Sequence, residues 1–103
     1  MKFYSLHKQS PVVNFKEATI LGQAPDKGLY FPEFVPQLDK QWLHHIENHS
    51  NEDIAFRLMY PYVKEDIPEE KLFEIVTASV NFSLPLVRIH EDIFTLELFH
   101  GNT

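Results

Sequence analysis

The chain has no cysteine. Disulfides and thiolate metal sites are therefore excluded. Glycine occurs three times in 103 residues, too rarely for a phosphate-cradling glycine loop. Positive charge is also scarce. Nine Lys and Arg face fifteen Asp and Glu, for a net charge of −6. That balance does not supply the cationic surface on which nucleic-acid or anionic-membrane binding depends. No stretch approaches transmembrane length, and the start, MKFYSLHKQS, lacks the long apolar segment of a signal peptide. The expectation is a soluble, cytoplasmic protein with no nucleic-acid or membrane partner.

Aromatics are what the chain has in quantity: nine Phe, four Tyr and one Trp. They imply a packed core, or a surface that packs on something else. Hydrophobic residues at 44% and charged residues at 23% are otherwise ordinary for a globular protein. The length suits one domain, 1–103, and neither repeats nor a low-complexity linker divide it.

Local patterns predict an α+β domain with about four helices, short strands at both ends and a C-terminal β-hairpin. Lys2 to Leu6 reads as a short strand. Asn14 and Glu17 form a capping-box arrangement, and Gly22 suits the other end of that helix. Pro25 and Asp26 start a turn in which Gly28 permits positive φ. Leu29 to Phe31 are then strand-like until Pro32. Asp39 caps a helix reaching about Asn48, with Trp42, Leu43 and Ile46 inward. Ser50 and Asp53 start the next helix, which Pro61 should end or kink. Asp66, Pro68 and Glu69 open a fourth, whose inward stripe is Leu72, Ile75, Val76, Ser79 and Val80. PLVRIHEDIFTLELF reads as two strands around Glu91 and Asp92, with Arg88 and His90 on the wet face of a half-buried hairpin.

Chemistry-bearing patterns are sparse. His45 and His49 have the i, i+4 spacing of two metal ligands on a helix, but no further ligand completes a recognised set. They read better as a solvent-facing side, and no metal is expected. Asp26 and Glu33, or Glu69 and Glu70, are carboxylate pairs without a cleft, and the second pair suits a helix first turn. Neither Ser5 nor Ser79 lies in a nucleophile-elbow pattern. The terminal FHGNT combines a strand end with a glycine turn and polar atoms from His100, Asn102 and Thr103. As a bare pattern it is weak.

Three stretches in order carry more weight: KEA…G.A.DKGLYFPE, IPEEKL…A…F..P and LELFHGNT. Together they resemble the N-terminal part of the threonine synthase family. The match includes Asp26 to Pro32, Ile67 to Glu70 and Leu96 to Thr103, and it runs along essentially the whole chain. Asn102 departs from the proline usual in that family, although Asn also tolerates turn conformations.

The resemblance implies a parent enzyme, a pyridoxal-phosphate-dependent carbon–oxygen lyase. It would convert O-phospho-L-homoserine and water to L-threonine and phosphate. The Schiff-base lysine of the family would fall about four residues beyond Thr103, by the motif's spacing. The catalytic pyridoxal-phosphate domains would follow it. These 103 residues would then hold no cofactor and no catalytic residue, and alone they would be inactive. Phe99, His100, Gly101, Asn102 and Thr103 would form a motif adjacent to the active site. The partner would be the remainder of the threonine synthase chain, with self-association through exposed aromatics expected of the isolated piece. The alternative is a free-standing interaction module using an aromatic surface.

Overall fold

The structure, a computed structural model, describes residues 1–101. It is α+β, with four helices and short strands at both ends, as the patterns predict. Strand β1 (Lys2–Ser5) is followed by β2 (Val13–Asn14), helix α1 (Phe15–Leu21) and β3 (Tyr30–Pro32). Helix α2 (Lys40–His44) leads through a 3-10 turn, Ile46–Asn48, to α3 (Asn51–Val63) and α4 (Glu69–Ser79). A hairpin of β4 (Leu86–His90) and β5 (Ile93–Leu96) comes last.

The N-terminal strands form an antiparallel sheet in the order β2-β1-β3. Phe3 pairs with Val13 on one side and Pro32 on the other. Proline is tolerated there because β3 is an edge strand, so its missing amide costs no ladder bond on the open side. Strand β2 was not evident from the sequence. Only its partner β1 makes so short a segment a strand.

The helix starts follow their side-chain caps. Asn14 Oδ1 accepts from the Glu17 amide at 2.8 Å, and Ser50 Oγ from the Asp53 amide at 3.1 Å. Gly22 ends α1 at φ 72°, its amide donating to the Ala18 carbonyl. Asp39 caps α2, but that helix stops at His44 instead of reaching Asn48. Of the expected inward side of α2, only Trp42 is half-buried, whereas Leu43 and Ile46 remain exposed. Pro61 lies inside α3, which continues to Val63. Burial of Val63 outweighs the amide that proline removes at this last turn.

The core comprises two small clusters. Met1, Phe3, Val13 and Ala18 sit between the sheet and α1. Val63, Leu72 and Val76 sit between α3 and α4. Phe15 and Tyr62 pack against both clusters and join them. Of the expected α4 stripe, Leu72 and Val76 are buried, whereas Ile75 is 44% exposed.

The hairpin departs most from expectation. It turns at Glu91 and Asp92 with an irregularity between Arg88 and His90, yet neither of its faces is covered. Val87 and Ile89 were expected inward, but both are exposed like Arg88 and His90. The molecule is correspondingly elongated, 49 × 30 × 28 Å. Its radius of gyration is 16.7 Å. A compact chain of this length would give about 13 Å.

Candidate functional site

The segment leaving β5 is built from its base upward. The Glu97 amide donates to the Pro85 carbonyl at 2.9 Å and closes the hairpin. Three residues on, His100 Nε2 donates to Glu97 Oε2 at 2.6 Å. This bond makes Nε2 the donor and leaves Nδ1 as the other nitrogen of the ring. The Phe99 ring lies beside the imidazole, with centroids 4.5 Å apart. Phe99 is otherwise 73% exposed, and Leu98 before it 70%. Gly101 follows against the ring of Phe82, which comes from the loop between α4 and β4.

Among the expected motif residues, Phe99, His100 and Gly101 are therefore held together. Asn102 and Thr103 lie outside the described residues. Sequence reasoning overlooked Glu97 and Phe82 as their supports. Glu97 was visible only as a carboxylate three residues before a histidine. Phe82 and Pro85 stood inside the F..P spacing, but nothing local showed that they meet the exit segment.

A second feature borders the helices. Phe15, Ala55, Met59, Val63, Ile67 and Ile75 help line an apolar hollow of about 480 Å³ between α1, α3 and α4. With the hairpin, it makes two uncovered apolar regions on one small domain. Exposed contiguous apolar surface of this kind marks a place where something packs.

The other polar candidates are structural. Asp26 organises the turn between α1 and β3. Its carboxylate accepts from the Ser5 hydroxyl, from the Gly28 amide at 2.8 Å and from the Gln9 amide at 3.0 Å. The Ser5 hydroxyl is the main cause holding this carboxyl down at about 2, with the amides of Gly28 and Gln9 and the Ser10 hydroxyl adding to it. Positive φ falls on Lys27 (67°), not on Gly28 as expected. Gly28 is needed for a different reason. A Cβ there would lie 2.9 Å from Asp26 Oδ1 and 3.1 Å from the His7 amide nitrogen. Glu33 is engaged elsewhere, accepting from the Lys2 amide at 3.0 Å. Glu69 accepts from the Tyr60 hydroxyl at 2.8 Å, which raises the Tyr60 pKa.

His45 and His49 do not share a helix face. His45 is where α2 ends, and His49 stacks on Trp42 with ring centroids 5.2 Å apart. Arg57 lies over the same indole at 5.3 Å. Among the described residues no group of three or more His, Asp or Glu could hold a metal. No helix among them is long and apolar enough to cross a membrane.

The sequence model described as "Threonine synthase N terminus" matches residues 2–80. Over its whole length the chain is 30% identical to threonine synthase of Serratia marcescens and 32% identical to that of Escherichia coli. It covers 24% of each of those relatives. The chain thus spans about a quarter of the length of the curated relatives it matches. The crystal structure of PLP-bound threonine synthase from Brucella melitensis superposes with a TM-score of 0.89 at 31% identity, over 99% of this chain and 23% of that one.

Fit to that cofactor is a matter of donors. The exit segment from Leu96 to Gly101 contains no lysine, and Gly22, Gly28 and Gly101 lie at three separate places in the fold. The described residues therefore offer no amine on the exit segment and no glycine cradle for a phosphate. No chemical step is assigned to them.

Proposed function

Because the chain belongs to the threonine synthase N-terminal family, we propose that it is the N-terminal structural domain of a pyridoxal-phosphate-dependent threonine synthase. The remaining length of such an enzyme carries the chemistry. It converts O-phospho-L-homoserine and water to L-threonine and phosphate, as a carbon–oxygen lyase. Pyridoxal phosphate supplies an electron sink when bound. In this reading its lysine lies beyond Thr103, and Phe99 to Thr103 lead the chain toward it.

The observation that carries the reading is the coverage. The whole of this chain aligns with only about a quarter of each relative, and the fold aligns equally fully. The uncovered hairpin and hollow support the same reading, since they give the rest of the chain apolar surface to pack on. What these residues do, then, is fold into a support and present an interface.

The test uses the complete gene product purified with pyridoxal phosphate. It should release phosphate from O-phospho-L-homoserine and form threonine, whereas the 103-residue chain alone should release none. A reading frame that stops directly after Thr103 would overturn the proposal. So would a complete product that binds the cofactor but leaves O-phospho-L-homoserine unchanged.

A further inference from the structure

We infer that Phe82 is a positioning residue, whose ring sets the path on which the chain leaves the hairpin. A Cβ added to Gly101 would lie 2.7 Å from Phe82 Cζ, 2.9 Å from Cε1 and 3.0 Å from Cε2. Near-equal distances to three adjacent ring carbons put Gly101 over the face of the ring. An approach in the ring plane would leave Cε1 and Cε2 much farther away than Cζ. No residue with a side chain fits this contact unless the ring moves, because real Cβ atoms do not come so close.

Phe82 is half-buried and lines a hollow of about 200 Å³ with Ile54, Leu58, Val80 and Leu84. Ile54 and Leu58 belong to α3, so the wedge borders a hollow on the helical body while Gly101 closes on the ring. The hairpin has no covered face of its own. The Glu97 to Pro85 bond closes the base of the hairpin, and the wedge adds a second tie between the exit segment and the loop that follows α4. The aromatic and the glycine therefore act as a matched pair, nineteen positions apart in the sequence.

The contact is a property of the 103-residue chain. Its consequence for a cofactor rests on the function proposed above, and the two are tested separately. In the 103-residue chain, the Gly101 Hα that occupies the Cβ direction should be shifted upfield by the ring current. The shift should vanish in Phe82→Leu and persist in Phe82→Tyr. Two Gly101 Hα signals at ordinary positions, unchanged by Phe82→Leu, would overturn the inference. If Phe82→Leu does not fold, the wild-type and Phe82→Tyr spectra decide by themselves.

In the complete gene product, Phe82→Ala should lose the visible absorption of bound pyridoxal phosphate, and Phe82→Tyr should restore it. A folded Phe82→Ala product with the wild-type absorption band would overturn the positioning role. A wild-type product that never binds pyridoxal phosphate would refute the proposed function instead. The Gly101 shift would then still decide the role of Phe82.

Discussion

Leu72→Ala is the sharpest perturbation of the fold. Leu72 is 1% exposed and sits with Val63 and Val76 between α3 and α4. Phe15, Phe56, Tyr60, Tyr62 and Ile67 pack around that cluster. Each buried CH₂ is worth about 0.8 kcal/mol, so truncation to Cβ forfeits about 2.4 kcal/mol of transfer free energy. A residual cavity usually adds to this and brings Leu→Ala costs to about 2–5 kcal/mol. Here the apolar hollow also lined by Leu72 opens to the surface, so Met59 and Ile75 have room to move in. The cavity contribution should be small, and the total should fall at about 2–3 kcal/mol. For a domain of this size that lowers Tm by roughly 10–20 °C. Urea unfolding followed by far-UV circular dichroism measures it directly, with the slope m unchanged. Ile75→Ala is the control. It lies on the same helix but is 44% exposed, so its loss should stay at about 1 kcal/mol. Equal losses from the two substitutions would refute the placement of α4 and the core drawn from it.

Other perturbations address the caps, the turn and the exposed surface. Asn14→Ala should cost about 1 kcal/mol in urea unfolding, because the Glu17 amide loses its acceptor. Gly28→Ala should cost roughly 1–3 kcal/mol, because its Cβ would meet Asp26 Oδ1 and the His7 amide. Asp26 has its carboxyl held at about 2 in the folded chain, below the roughly 3.9 of an unfolded aspartate. The stability it contributes is therefore full above about pH 4 and is lost as pH falls toward about 2. Between those limits the difference in Tm between wild type and Asp26→Asn should shrink; a difference that stays constant would contradict the hydrogen-bond network. The 103-residue chain should self-associate with rising concentration in light scattering, and Ile89→Lys with Phe94→Lys should keep it monomeric.

The legible parts of this fold were the local ones. Asn14, Gly22, Asp39 and Ser50 mark helix ends because a cap bonds within three or four residues of itself. The Glu91–Asp92 turn was legible for the same reason. What escaped was set by partners distant in sequence. Val13 and Asn14 become a strand only beside β1. Lys27, and not Gly28, takes the left-handed conformation, and Gly28 is set by its close approach to Asp26 and to His7, the latter far away in sequence. Alternation in β4 suggested one wet and one dry face, yet no element among the described residues covers either. Periodicity reports that a face is apolar, and it does not say whether the covering surface belongs to the same 103 residues. The candidate site divides the same way. FHGNT drew attention through its resemblance, but its supports, Glu97 and Phe82, emerge only from the fold.

The central claim is that the exposed hairpin is an interface with the rest of a longer chain. Amide hydrogen exchange tests it most directly, by comparing residues 86–99 in the 103-residue chain and in the complete gene product. The account predicts much slower exchange across β4 and β5 in the complete product, with little change in β1 and α4. Equal exchange rates for the hairpin in both would contradict it.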